Sequence, residues 1–196
     1  QEILLVSKNG QAIRFKESDV RSMGRASYGV AGIKLGEGDK VVSVEVLPEK
    51  DVPGFSVLTI TRKGYGKRSE IEAYRLTGRA GKGVINMKVT EKPGRIVTSQ
   101  SVTDTDNIIM STEKGIFIRT PVKNLRIMGR ATQGVRVINV KEGDKVSGLT
   151  RVPTDEHLEE KESEWDFIIE IKFLKKGFFD FVGNCLNLNL NFPLSF

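Results

Sequence analysis

Gly24-Arg25-Ala26-Ser27-Tyr28-Gly29, Gly78-Arg79-Ala80-Gly81-Lys82-Gly83 and Gly129-Arg130-Ala131-Thr132-Gln133-Gly134 write one hexapeptide, Gly-Arg-Ala-x-x-Gly, three times. The copies stand 54 and then 51 residues apart. A motif that returns at such a period is a unit of architecture, so the period frames the rest of the chain.

Fourteen residues before each motif stands a turn glycine: Gly10, Gly64 or Gly115. Four residues after that glycine comes an arginine, Arg14, Arg68 or Arg119. Ten residues after it comes Val20, Tyr74 or Leu125, and twenty-three after it Ile33, Met87 or Ile138. A valine, Val30, Val84 or Val135, follows the second motif glycine. These lines align without a gap, so the chain holds three copies of one unit.

Inside each copy the hydrophobic period is that of a strand. Val42, Val44 and Val46 alternate with Ser43 and Glu45, one row to each face. Asn9-Gly10 is a hairpin signal, because both residues tolerate positive φ. Acidic, glycine-bearing turns follow at 36–40, 91–94 and 142–145. Each copy therefore resolves into about four strands: before the turn glycine, after it, after the second motif glycine, and after the acidic turn. Residues 1–157 show no sustained helical stripe. The expected fold is all-β and propeller-like, with three four-stranded blades at about 1–50, 51–104 and 105–157, linked at 48–54 and 102–106. Residues 158–196 depart from the repeat, with an acidic stretch at 158–164 and then a segment rich in Asn, Leu and Phe.

Charge is uneven. The whole chain carries +6, but residues 1–157 hold 27 Lys and Arg against 18 Asp and Glu. A basic repeat region points toward a polyanion, with a solvated surface as the plain alternative. One cysteine, Cys185, and one histidine, His157, exclude a disulfide framework and leave no zinc-ligand cluster. A cytoplasmic setting is the expectation. The start at Gln1, already in strand-like sequence, reads as the interior of a longer protein. No signal peptide or membrane span is expected.

Catalysis finds little support. His157 is the sole histidine, Asp104 and Asp106 read as turn residues, and Tyr28, Tyr65 and Tyr74 have no acid or metal cluster beside them. No cofactor is expected. The motif glycines resemble a phosphate cradle only weakly, because no Gly-Lys-Ser/Thr ending follows. They read better as positions of positive φ or close backbone approach. Gly64-Tyr65-Gly66-Lys67-Arg68-Ser69 is a faint nucleotide-loop pattern placed at a hairpin turn.

The arginines recur at fixed positions, Arg25, Arg79 and Arg130 in one row and Arg14, Arg68 and Arg119 in another. In a radial repeat, such rows would line a basic track with one station per blade, suited to DNA phosphates. Lys63, Lys67, Lys82 and Lys123 would enlarge it. The alternative is that each arginine pairs with an acid or packs on a neighbouring blade.

Phe15-Lys16-Glu17-Ser18-Asp19-Val20-Arg21-Ser22-Met23-Gly24, Gly32-Ile33-Lys34-Leu35-Gly36-Glu37-Gly38-Asp39-Lys40, Gly64-Tyr65-Gly66-Lys67-Arg68 and Gly129-Arg130-Ala131-Thr132-Gln133-Gly134-Val135 closely resemble the C-terminal domain of the DNA gyrase A subunit. The corresponding domain of topoisomerase IV shares the fold. The resemblance covers about residues 1–155. It implies a six-bladed β-pinwheel whose neighbours exchange strands and whose basic rim binds double-stranded DNA. It further implies a parent A2B2 enzyme, an ATP-dependent topoisomerase that introduces negative supercoils. Its cleaving tyrosine and its ATPase site, the latter in the B subunit, lie elsewhere. Two other readings stand beside it. A propeller-type protein-interaction module would bind no duplex, and a nucleotide-using enzyme would bind ATP at 64–69.

Overall fold

Each turn glycine closes a hairpin. In the computed structural model, which describes residues 1–47 and 54–153, Gly10, Gly64 and Gly115 have φ of +98°, +78° and +82°. Eleven strands run through the described residues: β1 (Glu2–Ser7), β2 (Gln11–Lys16), β3 (Val41–Leu47), β4 (Ser56–Thr61), β5 (Tyr65–Glu70), β6 (Val84–Ile85), β7 (Ile96–Val102), β8 (Asn107–Thr112), β9 (Phe117–Pro121), β10 (Val135–Arg136) and β11 (Val146–Val152). The glycines join β1 to β2, β4 to β5 and β8 to β9, all antiparallel. A single 3-10 turn follows each hairpin, at Glu17–Asp19, Ile71–Ala73 and Val122–Asn124. The all-β, propeller-like expectation holds.

The sheets do not respect the copies. Their orders are β3-β1-β2-β6, β10-β5-β4-β7 and β11-β8-β9. Strand β6 belongs by sequence to the second copy, yet it pairs with β2 of the first in the register Ala12↔Val84. Strand β10 of the third copy pairs with β5 of the second at Gly66↔Val135. Each copy thus completes the sheet before it. The expected strand after Gly29 is not formed, because among the described residues no earlier sheet edge is there to receive Val30.

This exchange explains the second motif glycine. Gly83 and Gly134 both sit at φ +73°. A Cβ on Gly83 would lie 2.2 Å from the Ala12 carbonyl oxygen, and one on Gly134 2.5 Å from that of Gly66. The donated strand approaches the receiving strand too closely for any side chain. The glycines answer to backbone geometry, as their spacing suggests.

The cores lie between sheets. Leu4, Val6, Leu47, Val57, Ile71, Tyr74, Met87 and Ile96 form one, across the first and second copies. Leu58, Ile60, Ile108, Met110, Val122, Leu125 and Ile138 belong to a second, across the second and third. All six residues of β4 are buried, because a sheet packs on each of its faces. In β8 burial alternates, the mark of a strand covered on one face. Burying a side chain such as Leu58 contributes about 1.5–3 kcal/mol, so a copy gains most when both faces are covered.

At 102–106 a tight turn joins the second copy to the third, with the Thr103 N–H donating to Asp106 Oδ2 at 2.7 Å. Save for Gly54, the expected link at 48–54 lies outside the described residues, as do His157, Cys185 and all of 158–196.

The two motif glycines Gly29 and Gly83 separate conformation from contact. Both have positive φ, but a Cβ on Gly29 meets nothing within 4 Å. Gly29→Ala therefore carries only the backbone penalty of about 1–2 kcal/mol. Gly83→Ala adds an overlap worth roughly 1–3 kcal/mol more. Urea unfolding midpoints compared at constant m-value measure the difference.

Candidate nucleic-acid interface

Of the two arginine rows, the first is turned inward. Arg14 is buried, pairs with Glu2, and donates through Nη1 to the carbonyls of Ile71 at 2.9 Å and Tyr74 at 3.1 Å. Arg68 repeats the arrangement one copy later. It is 3% exposed and reaches the carbonyls of Val122 at 3.2 Å and Leu125 at 3.4 Å. Its Nε donates to Ser56 Oγ at 2.9 Å, and its Nη2 lies 2.6 Å from Asp104. In both cases the acceptors are carbonyls at the 3-10 turn of the next copy. Their own carbonyls take the N–H of Thr77 and Met128, at 2.9 and 2.8 Å. The expectation that Arg14 and Arg68 face DNA is corrected: a guanidinium with its donors spent on buried carbonyls is a joint between copies.

The Gly-Arg-Ala arginines also reach across a junction, in the other direction. Arg79 donates to the Ala31 carbonyl at 3.0 Å and Arg130 to that of Ile85 at 2.9 Å. Both stay half-exposed, whereas Arg25 is fully on the surface. Recurrence in these rows thus follows from how copies join.

Lys67 is the third correction. It is 1% exposed, and its ammonium donates to Ser69 Oγ and to the carbonyls of Gly129 and Arg130. Burial, with a smaller push from the Arg130 charge, lowers its pKa to about 7. A phosphate has no approach to it, so the faint nucleotide-loop pattern at 64–69 is a hairpin and a strand. Beside it runs a buried polar chain. The Tyr74 hydroxyl donates to Asn86 Oδ1 at 2.5 Å, Asn86 Nδ2 donates to Thr59 Oγ1 at 3.1 Å, and Thr59 Oγ1 meets Ser99 Oγ at 2.9 Å. Burial raises the Tyr74 phenol to about 12, which leaves it a neutral donor.

Lys63, Lys82, Arg119 and Lys123 are exposed. Among the described residues none of the ion pairs involves Arg25, Lys63, Lys82, Arg119 or Lys123. Lys63 reaches the carbonyl of Glu91 in the following turn, and Lys114, one repeat on, reaches that of Glu142 at 3.3 Å.

The structure also gathers cations that no repeat marks. Lys63, Tyr65, Lys92, Arg136, Lys141 and Asp144 line a cavity of about 260 Å³. Arg136 Cζ lies 5.4 Å from the centre of the Tyr65 ring and Lys92 Nζ 6.0 Å from it. Arg136 Nη2 donates to the Tyr65 hydroxyl at 3.2 Å, which is the main reason the phenol is lowered from its ordinary value. Four cations therefore face one aromatic ring and one carboxylate. Lys92, Arg136 and Lys141 have no basic counterpart at a repeated position, so no sequence signal picks them out; strand exchange brings β10 to β5 and assembles them.

The described residues are basic as a whole, with 26 Lys and Arg against 14 Asp and Glu. Among the described residues no three or more His, Cys, Asp or Glu side chains come together as a metal site.

Residues 1–48, 56–103 and 106–153 each match the family described as DNA gyrase C-terminal domain, beta-propeller. The chain is 48% identical over 157 residues to the DNA gyrase A subunit of Escherichia coli strain K12, covering 79% of the chain and 18% of that protein. It is 44% identical over 158 residues to that of Fibrobacter succinogenes, covering 81% and 17%. The chain thus spans about a fifth of the curated relatives it matches. Its fold is similar to the C-terminal domain of DNA topoisomerase IV (TM-score 0.77, 29% identity), covering 85% of this chain and 51% of that one. It is likewise similar to the DNA gyrase A C-terminal domain (TM-score 0.70, 28% identity), covering 77% and 50%.

Two outcomes follow for the joints. Arg68→Ala takes the guanidinium from the Leu125 carbonyl and from the Val122 carbonyl, which keeps the Leu125 N–H, and lowers stability by about 2–4 kcal/mol, while Arg25→Ala stays within about 0.5 kcal/mol of the parent. Chemical denaturation of both variants checks this contrast. Lys67 gives a pH signature. An unfolded lysine keeps its proton to about pH 10.4, so between about pH 7 and 10 the unfolded state binds more protons than the folded one. Stability then rises with pH across that window, and Lys67→Met removes its share of the rise, as urea midpoints measured at pH 7, 8 and 9 would register.

Proposed function

Since this chain belongs to the DNA gyrase C-terminal domain family of β-propellers, we propose that it is the non-catalytic part of a gyrase A subunit that binds duplex DNA. The excess of 26 basic over 14 acidic side chains on the described residues carries the reading. DNA holds one negative charge per about 1.7 Å of axis, and lysine and arginine replace its condensed counterions without reading bases. Exposed Arg25, Lys63, Lys82, Arg119 and Lys123 supply the contacts, with half-exposed Arg79 and Arg130 beside them. The Tyr65 cluster of Lys92, Arg136 and Lys141 adds density of charge where two copies meet. Each of the three matched segments founds one blade, and the first two blades are completed by a strand of the segment that follows.

In the parent enzyme, an A2B2 assembly with the B subunit, this bound segment of DNA supports ATP-dependent negative supercoiling. Strand cleavage and ATP hydrolysis belong to parts outside this chain. The setting is cytoplasmic, on the nucleoid.

Fluorescence anisotropy of a labelled linear duplex tests the reading. The logarithm of affinity falls linearly with the logarithm of salt, independent of sequence. Lys63→Ala, Lys82→Ala and Lys123→Ala each reduce the slope by about 1. Absence of duplex binding at low salt would sink the proposal and leave the protein-interaction module. Relaxed plasmid treated with topoisomerase I in the presence of the chain separates binding alone from wrapping, since only wrapping changes the linking number.

A further inference from the structure

We propose that the cavity around Tyr65 is a binding site for phosphate groups, built where the second and third copies meet and lacking at the junction before it. Its lining encloses about 260 Å³, far above the roughly 10–15 Å³ that one water needs. Lys63 and Tyr65 come from the hairpin turn of the second copy and Lys92 from its acidic turn, while Arg136, Lys141 and Asp144 come from the third copy. The cavity would hold a phosphate anion whether or not a duplex binds elsewhere on the chain.

Four cations face one carboxylate in this space. Asp144 is turned to the backbone, its Oδ1 accepting the N–H of Lys114 at 3.1 Å and of Lys145 at 2.8 Å. Among the described residues none of the four cations is in an ion pair. The lining therefore keeps a surplus of three positive charges around one hollow. The ring orients two of them, with Arg136 Cζ 5.4 Å and Lys92 Nζ 6.0 Å from its centre. Among the described residues the Lys92 and Lys141 ammonium groups have no hydrogen-bond acceptor. A guanidinium fork beside mobile ammonium groups is the donor set that phosphate oxygens take. A phosphate monoester carries about −1.5 to −2 at pH 7, so two linked phosphates match the surplus where a carboxylate leaves most of it.

The first junction has the same strand pairing and none of this chemistry. There β6 meets β2 as β10 meets β5. Counted from the turn glycine, its residues at the same places are Asn9, Gln11, Gly38, Ile85, Thr90 and Pro93, and not one is charged. The cluster is thus an addition to one junction and not a consequence of the repeat. A ligand held there contacts two copies at once, so it stabilises the folded chain by mass action.

The test uses the full chain and pyrophosphate as the probe. Isothermal titration calorimetry should show one site, and pyrophosphate at about 100 times its Kd should raise the thermal midpoint. Arg136→Gln and Lys141→Ala should each weaken binding roughly tenfold. Asp144→Asn keeps the Oδ1 acceptor, removes the one negative charge and should tighten binding roughly threefold. Lys16→Ala, which removes an exposed cation of the first copy, should leave it unchanged. Anisotropy of a labelled duplex separates the two sources of phosphate. Duplex displaced by pyrophosphate and weakened by Arg136→Gln assigns the site to the DNA backbone; duplex binding indifferent to both assigns it to a free phosphate anion. Pyrophosphate binding in a chain that binds no duplex would remove the duplex reading and leave this one standing. No heat with pyrophosphate, parental affinity in both Arg136→Gln and Lys141→Ala, or an equal loss in Lys16→Ala would each overturn the proposal.

Discussion

A buried guanidinium spanning two repeats holds this structure in line. Arg14 and Arg68 each leave their own strand, cross the junction and end on backbone carbonyls at the next 3-10 turn. A charge taken out of water needs its donors satisfied, or it costs several kcal/mol. That demand works in both directions. The arginine is buried only where a next copy lies against it, and the turn carbonyls of Ile71 and Val122 gain the guanidinium as a second donor beside the N–H of Tyr74 and Leu125. Each copy is therefore incomplete until its neighbour arrives.

Strand exchange enforces the same dependence through the backbone. A two-residue strand such as β6 has little stability alone; it exists because β2 offers it an edge. The first copy supplies the contrast, for the equivalent residues there have no edge among the described residues and form no strand. Sidedness of burial tells the same story. β4, with a sheet on each face, is buried throughout, and β8 alternates. The middle copy is the most complete of the three because it has a neighbour on either side.

Charge is what the architecture leaves over for function. In the two arginine rows, four of six are consumed wholly or partly by the joints, Arg14 and Arg68 in the interior and Arg79 and Arg130 on carbonyls across a junction, while Arg25 and Arg119 are exposed. On the surface, Arg21, Arg75 and Arg126 recur eleven residues after the turn glycine and are exposed in every copy, while Lys82 and Lys123 do not recur. A polyanion needs no periodic partner on the protein, only enough positive charge within reach of its phosphates, so irregular spacing is compatible with backbone binding. The Tyr65 cluster illustrates this, since its members come from different copies and meet only after the sheets are completed.

The repeat, the hairpin turns, the strand class and the role of the glycines were legible in the sequence, because each depends on local backbone chemistry that a residue type reports directly. Positive φ at Gly10 and alternation along β3 are of this kind. The destination of the arginines was not. Arg14 and Arg119 occupy the same position of the same motif, yet one is buried and the other exposed, and only the presence of a following copy separates them. Lys67 shows the same limit, for its burial depends on carbonyls sixty-two and sixty-three residues away. A repeated residue announces that its environment repeats. Whether that environment is solvent, a partner or the next repeat is settled by tertiary contact, because satisfying a charged donor requires acceptors that the local chain does not contain.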